Sequence, residues 1–154
     1  MNIVKILEEK VSKLGSKPSI IFKDHSISFI QLKENVFRVA NSLINLGLKK
    51  GDKIALYLPN SPEYIYSYLA IWCCGATAVP LDFMLTEEEL ISCLSHAEVK
   101  ALIIKHKANI SIENLKKNIP ALEHIITCNE AIEGALHFEE LLKNPNAQRP
   151  ETIY

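Results

Sequence analysis

Residues 58–82 read LPNSPEYIYSYLAIWCCGATAVPLD and join the end of one apolar strand to the start of another through an apolar helix. Asn60 and Ser61 are residue types that cap a helix N-terminus with their own side chains. Pro62 suits the first helical turn, where its missing amide has no helical partner to lose. The helix Pro62–Cys74 is apolar almost all round, which predicts that it is buried on more than one side.

Other strand-like runs extend this unit in both directions. The predicted strands are Lys53–Leu58, Ala76–Leu81, Ala101–Lys105 and His124–Cys128. Pro80 has no backbone N–H, so we expect it near a strand end or at a sheet edge. Because helices are predicted between the strands, the order favours an α/β fold, a mostly parallel sheet with helices on both faces.

The residues before this unit predict a helix and a hairpin. Asn2 can cap a helix whose apolar positions recur from Ile3 to Leu14. Two β-rich runs, Ser19–Lys23 and Ser26–Phe29, are separated by a short polar turn. This spacing indicates an N-terminal β-hairpin.

Two capping boxes mark the starts of further helices. Ser28 with Gln31 and Thr86 with Glu89 have the spacing in which each side chain bonds the backbone amide of the other residue. A short helix is predicted at the end of the chain, over Phe138–Lys143. We interpret residues 1–154 as a single α/β domain with an irregular tail from about residue 144.

Bulk composition excludes several classes of protein. The 154 residues are 48% hydrophobic and 23% charged, with a net charge of −1, so the balance favours no nucleic-acid partner. The longest apolar run, Ile65–Pro80, is too short and interrupted for a membrane span, which needs about 20 apolar residues. The N-terminus carries charges where a signal peptide has its apolar core. We expect a cytoplasmic protein without a transmembrane segment.

The turn at residues 60–63 is not suited to hold a phosphate. A phosphate site needs several backbone amides directed at the anion, with glycines that let the backbone come close. This turn has no glycine, and Pro62 removes one amide. No glycine-rich loop exists elsewhere, because the other glycines of the pattern are single and indicate caps or turns: Gly47, Gly51, Gly75 and Gly134.

Metal ligation is disfavoured by the cysteine spacing. Cys73 and Cys74 lie within an apolar helix, where thiols behave as small hydrophobic groups. Cys93 and His96 have a C-x-x-H spacing, and Cys128 is a further candidate ligand. A zinc site usually has a second close pair of ligands, which this sequence lacks.

Other chemistry-bearing residues have simpler structural interpretations. The histidines lie in separate segments and indicate surface or cap positions, the three glutamates suit a helix N-terminus, and the lysines suit a solvated helix face. These candidates are His25, His96, His106, His124, His137, Glu87, Glu88, Glu89, Lys105, Lys107, Lys116 and Lys117. We therefore predict no catalytic, cofactor-binding or metal-ligating residue in this chain.

The order of segments resembles the N-terminal part of the adenylate-forming, or AMP-binding, enzymes. That superfamily includes acyl-CoA synthetases, aryl and luciferase-type ligases and peptide-synthetase adenylation domains. The likeness is greatest to the acyl-CoA synthetases, or long-chain fatty acid–CoA ligases. It covers about residues 17–130 and includes the segment LTEEELISCLSHAEVKALI. The matching positions are Ser28, Phe29, Leu32, Arg38, Ala40, Leu46, Gly47, Gly51, Asp52, Ala55, Asn60, Ser61, Glu63, Gly75, Ala76 and Pro80. Departures are Gln31 for a usual glutamate, Cys73-Cys74 before Gly75, and Leu81-Asp82-Phe83 after Pro80.

The resemblance implies a parent enzyme that forms an acyl-adenylate from a carboxylate and ATP and then a thioester with coenzyme A. It implies ATP, Mg²⁺ and CoA as cofactors of that enzyme, with none bound to this chain. The phosphate loop of the family follows soon after the region matching Pro150–Tyr154, so we expect these residues alone to be inactive. The expected partners are the remainder of the AMP-binding domain, a C-terminal lid domain and a small carboxylate.

Three alternatives stay open at this point. The chain is a truncated N-terminal piece of such a ligase, or a natural short binding module of the same fold, or part of an adenylation domain for an aryl or amino acid. The ending Glu-Thr-Ile-Tyr, without a polar tail, favours the first. A free-standing dinucleotide-binding domain is disfavoured because its glycine fingerprint is missing. A truncated domain leaves apolar surface uncovered, so we expect self-association through the helix Pro62–Cys74 and nearby strands.

Overall fold

The computed structural model describes residues 2–151. Its helices and strands, in chain order, are α1 (Ile3–Leu14), β1 (Pro18–Phe22), β2 (His25–Ser28), α2 (Phe29–Asn45), β3 (Lys53–Tyr57), α3 (Pro62–Cys73), β4 (Thr77–Pro80), α4 (Glu87–Ala97), β5 (Ala101–Ile104), α5 (Ile112–Asn118), β6 (His124–Thr127), β7 (Leu136–His137) and α6 (Phe138–Leu142). β1 and β2 pair antiparallel, which confirms the predicted N-terminal hairpin.

The main sheet has five parallel strands in the order β4-β3-β5-β6-β7. The four strands predicted from the sequence are confirmed, with ends that differ by one residue at most. Pro80 ends β4, and β4 is an edge strand, so the missing N–H removes no ladder bond inside the sheet. β7 was not predicted because two residues are too few to show a period-2 pattern.

Helices cover both faces of this sheet, as predicted. Side chains alternate along each strand, so Ile54 and Leu56 of β3 pack with residues of α1, α2, α3 and α6. Ala55 and Tyr57 of the same strand pack on the opposite face with residues of α4 and α5. Each of the strands β3, β4, β5 and β6 therefore supplies side chains to two separate hydrophobic cores.

Local capping chemistry sets the ends of the helices. The Asn2 side chain accepts the amides of Val4 and Lys5 at the start of α1. The first predicted capping box is present, since the Ser28 amide donates to Gln31 Oε1 at 2.9 Å and the Gln31 amide donates to Ser28 Oγ at 3.2 Å. None of the helices within residues 2–151 combines the length and apolarity needed to span a membrane.

The predicted burial of α3 on more than one side is only partly correct. Ala70 and Ile71 are fully buried against the core, but Ile65 and Trp72 are 39% and 41% exposed. Tyr68 stacks on Tyr64 and meets the edge of Trp72, with ring centroids 6.1 Å and 4.7 Å apart. In the described part of the chain, α3 packs against α1, α2 and the sheet, and nothing covers its outer side. The apolar pattern of α3 therefore includes side chains that are exposed in the described part of the chain.

The segment after α6 is irregular but firmly attached to α2. Asn41 is only 8% exposed, and its Nδ2 donates to the carbonyls of Asn146 at 3.1 Å and Gln148 at 3.0 Å. Ser42 Oγ donates to the Leu141 carbonyl at 3.2 Å. These bonds hold residues 144–150 across α2.

The single-domain assignment of residues 1–154 stays a prediction, and Met1 and the last three residues lie outside the described part.

Candidate functional site

A crevice opens at the carboxyl edge of the sheet between β3 and β5. After β3 the chain turns into α3 on one face, and after β5 it continues to α5 on the other face. Open α/β sheets bind ligands where neighbouring strands diverge in this way. The crevice has a volume of about 430 Å³, and its polar lining includes Lys23, Asn60, Ser61, Glu63, Lys105 and Asn129.

At the turn that starts α3, two backbone donor positions are not available to a ligand in this crevice. Ser61 is the N-cap of α3, and its Oγ accepts the Tyr64 amide at 3.2 Å. Pro62 occupies the first helical position and has no amide. The interpretation of this turn as a helix cap is confirmed. Asn60 makes no part of the cap and lines the crevice with an exposed side chain.

The loops that follow β5 and β6 form the other wall of the crevice. The Asn129 side chain joins them through hydrogen bonds to the backbone of His106. The His106 amide donates to Asn129 Oδ1 at 2.8 Å, and Asn129 Nδ2 donates to the His106 carbonyl at 3.1 Å. His106 Nε2 lies 2.7 Å from the Ile110 carbonyl and Nδ1 lies 3.2 Å from Glu130 Oε1. His106 is therefore half-buried and joins two loops through its hydrogen bonds. It is not the surface or cap residue that the sequence indicated.

The thiols are arranged as packing groups. Cys73 and Cys74 are buried, and burial raises the pKa of each to about 12. Burial, with a smaller effect of the Glu63 charge, also raises the pKa of Cys128. A thiol that stays protonated near neutral pH is a poor nucleophile and metal ligand. Within residues 2–151, no three His, Cys, Asp or Glu side chains are grouped as a metal site would require.

Because burial raises the pKa of these thiols, the protein should lose stability at alkaline pH. In the unfolded chain these thiols lose their protons from about pH 9, while the folded chain retains them until about pH 12. The folded state then binds more protons, so the free energy of unfolding falls as pH rises through this window. We expect Cys73→Ala to show a smaller fall than the native chain between pH 8 and pH 10, measured by urea denaturation. An identical fall in both proteins would contradict the raised pKa of the Cys73 thiol.

The acidic run at the start of α4 joins helices instead of forming a catalytic pair. Glu89 completes the second predicted capping box, and the hydrogen bonds from Thr86 lower the pKa of its carboxyl group. Glu87 accepts the Ser111 amide at 2.5 Å and also the Asn114 side-chain amide. Both carboxylates therefore cap helix starts, as their position in the sequence indicated, and Glu87 does so for α5.

Lys107 contradicts the predicted solvated helix face. It follows β5 in a loop and is half-buried, with Nζ 4.9 Å from the Tyr57 ring centroid and 4.3 Å from the Phe83 ring centroid. The same Nζ donates to the Phe83 carbonyl at 2.5 Å. Tyr57 donates its hydroxyl to the Leu85 carbonyl at 2.6 Å. Together Lys107 and Tyr57 hold the loop after β4 against the end of β5.

Removing the Lys107 ammonium should loosen that loop. We expect Lys107→Met, which keeps the apolar stem, to lower the free energy of unfolding by about 1–2 kcal/mol, since one charge-assisted hydrogen bond and two cation–π contacts are lost. The matched control is Lys105→Met, because Lys105 is exposed two residues earlier. Urea denaturation and hydrogen exchange of residues 81–86 measure the effect. Equal stability of the two variants would contradict it.

A second cleft lies at the opposite, amino-terminal edge of the sheet. It has a volume of about 660 Å³ and is lined by Asp52, Lys100 and Glu123, among others. Lys100 Nζ lies 3.4 Å from Asp52 Oδ2 and 3.8 Å from Glu123 Oε1, so its charge is already matched by two carboxylates. The carboxyl-edge crevice is the better candidate because its lysines form no ion pair within the described residues.

The chain matches known proteins over almost its whole length. The family model described as AMP-binding enzyme matches residues 7–153. The crotonobetaine/carnitine–CoA ligase of Salmonella heidelberg is 28% identical over 95% of this chain and 30% of its own length. The 4-coumarate–CoA ligase 1 of Petroselinum crispum is 30% identical over 94% of this chain and 27% of its own length.

Solved structures give the same picture of the fold. An anthranilate CoA ligase crystallised with anthranoyl-AMP superposes with a TM-score of 0.88 and 28% sequence identity. The superposition covers 96% of this chain and 29% of that protein. The chain thus spans about 30% of the length of the curated relatives that it matches.

Proposed function

Because its residues 7–153 match the family model, this protein belongs to the AMP-binding enzyme family, and we propose that it works as the N-terminal portion of an ATP-dependent carboxylic acid–CoA ligase. The similar curated proteins carry CoA ligase names at 28% and 30% identity. The solved relative contains an acyl-adenylate, anthranoyl-AMP. These names support an AMP-forming acid–thiol ligase more than any other class.

The proposed reaction has two steps. A carboxylate oxygen attacks the α-phosphate of ATP and releases pyrophosphate, and the thiol of coenzyme A then displaces AMP from the acyl-adenylate. Charge develops on the phosphates in the first step, and cations such as Mg²⁺ and lysine are the groups that stabilise it. ATP, Mg²⁺ and CoA are therefore the proposed cofactors and co-substrates of the complete ligase.

The residues described here serve this reaction as scaffold. One observation supports that role: at the helix start nearest the crevice, the Tyr64 amide is bonded to Ser61 Oγ and Pro62 has no amide. We therefore expect the main anion-directed amides to come from polypeptide other than this turn. The prediction that the chain itself contributes no catalytic, cofactor-binding or metal-ligating residue stays a prediction.

The uncovered side of α3 supports the proposed partners. Ile65, Tyr68 and Trp72 form an aromatic and aliphatic surface that a neighbouring element would bury. We propose that the remainder of the AMP-binding domain packs there, with a C-terminal lid domain and a small carboxylate as further partners. The isolated chain is then expected to self-associate through this surface.

Self-association has a direct test. Replacing Ile65 and Trp72 by Gln and Arg removes apolar area without touching the core, since both side chains are partly exposed. We expect the native chain to scatter light as a dimer or larger species at high concentration and the double variant to remain monomeric. The control replaces Met84, which is 81% exposed elsewhere, by Gln. A strictly monomeric native chain would contradict the expectation.

The comparisons support the class of the substrate but not its identity. The names of these relatives concern crotonobetaine or carnitine, 4-coumarate and anthranilate, all carboxylic acids. The fatty-acid preference and the cytoplasmic location predicted from the sequence stay predictions. The runner-up function, a non-catalytic binding module of the same fold, is favoured by the same capped turn at Ser61.

The test uses the product of the complete reading frame that contains these 154 residues. It is supplied with ATP, Mg²⁺, CoA and a panel of fatty, hydroxycinnamic, benzoic and betaine-type acids. We expect at least one acid to give pyrophosphate, AMP and a CoA thioester in equal amounts. Absence of all three products with every acid would favour the binding module.

A further inference from the structure

Arg38, a partly buried cation of α2, lies under the N-terminal hairpin. A groove of about 740 Å³ separates β1 and β2 from α2 and from the start of α3. Arg38 of α2 lines this groove together with Lys23, Glu34, Glu63 and Tyr66. Most residues that line this groove do not line the carboxyl-edge crevice. The two cavities share Phe22, Lys23 and Glu63.

The protein itself does not satisfy the Arg38 guanidinium. Of its five N–H donors, one contacts the Leu142 carbonyl, over a long distance of 3.4 Å from Nη1. Its Nε is buried without a hydrogen-bond partner. Within residues 2–151 Arg38 forms no ion pair, although Glu34 lies one helical turn before it. A buried guanidinium N–H without an acceptor is costly unless another group supplies one.

The chemistry of the missing acceptor follows from the shape of the guanidinium. Its planar fork binds the paired oxygens of a carboxylate or phosphate through two parallel hydrogen bonds. The fixed charges along the groove and the adjoining crevice are three cations, Lys23, Arg38 and Lys105, against two carboxylates, Glu34 and Glu63. This excess of positive charge favours an anionic occupant.

We propose that Arg38 is the anchor of an oxyanion-binding site in the groove between the hairpin, α2 and α3. The ligand carries a carboxylate or a phosphate group, which the guanidinium holds by its fork while Lys23 adds charge. The site is separate from the proposed ligase reaction and does not depend on it.

The experiment uses the fact that the chain has only two arginines, Arg38 and Arg149. Their Nε–H groups give two signals in a proton–nitrogen NMR spectrum, and Arg149 is an internal control because its pair with Glu8 is on the surface. Inorganic phosphate and acetate are titrated separately at constant ionic strength. We expect the Arg38 signal to move with saturation for at least one anion, while the Arg149 signal does not saturate.

Variants make the assignment specific. Arg38→Lys keeps the charge but loses the fork, so we expect about tenfold weaker binding, the loss of one charge-assisted hydrogen bond. Arg38→Gln should abolish saturable binding, followed through backbone amides of residues 22–27. If either variant fails to fold, the native titration alone decides. Saturable binding that survives Arg38→Gln, or shifts that stay linear at Arg38 for both anions, would overturn the proposal.

Discussion

Replacing Ile103 by Ala should lower the free energy of unfolding by about 3–5 kcal/mol, the largest change expected for a single side chain here. Ile103 lies in β5, the middle strand of the sheet, and its side chain is fully buried. It contributes to the core that α1, α2, α3 and α6 share with the sheet, so the cavity cannot be filled from solvent. Urea denaturation followed by circular dichroism measures the change.

The control for this variant is Ile21→Ala. Ile21 belongs to the hairpin and is 76% exposed, so its truncation should change stability by less than about 0.5 kcal/mol. A loss at Ile21 as large as the loss at Ile103 would mean that the hairpin side chain is buried in solution. A loss below about 1 kcal/mol at Ile103 would contradict the two-core sheet.

Replacing Asn41 by Leu should have the second largest effect, about 2–3 kcal/mol. The substitution keeps the size of the side chain and removes one amide that serves two backbone carbonyls, those of Asn146 and Gln148. Each acceptor left without a donor costs about 1–3 kcal/mol where water cannot replace it. The bonds join α2 to the end of the chain, so their loss should free residues 144–150 first.

Limited proteolysis separates this loss from general instability. Trypsin cleaves after Lys143, where the held segment begins, but does not cleave the Arg149–Pro150 bond. We expect cleavage after Lys143 to be much faster in Asn41→Leu than in the native chain. Asn45→Leu is the matched control, because Asn45 is exposed at the end of the same helix. Equal cleavage rates in the two variants would show that Asn41 does not hold the segment.

Features governed by local chemistry were predictable from the sequence. The caps at Asn2, Ser28, Ser61 and Thr86 depend on residues two or three positions apart, and all four are present. Pro80 indicated an edge or a strand end because proline cannot donate a ladder bond, and both are observed.

Features that depend on distant contacts were not predictable in the same way. Lys107 was assigned to a solvated face because its contacts with Tyr57 and Phe83 join residues that are 50 and 24 positions away. Asn41 gave no signal because its partners follow it by more than 100 residues. The sequence predicted burial of the outer side of α3, which is exposed in the described residues. An apolar pattern indicates that a helix side is buried, but it does not identify the segment that buries it.

The described residues build the carboxyl-edge crevice, and the expectation that they do not bind a nucleotide on their own stays a prediction. Ser61 occupies the Tyr64 amide and Pro62 has no amide, so the start of α3 offers fewer amides to a phosphate. The proposed Arg38 site is a separate feature, and we expect it to bind a simple anion with a dissociation constant of about 1 mM or weaker.

Equilibrium dialysis of Mg·ATP against the isolated chain tests the central claim most directly. We expect no saturable site tighter than about 1 mM, a binding free energy of about −4 kcal/mol, and we expect any weaker binding to disappear in Arg38→Gln. Stoichiometric capture of ATP at micromolar concentration, retained in Arg38→Gln, would contradict the claim that nucleotide binding needs other polypeptide.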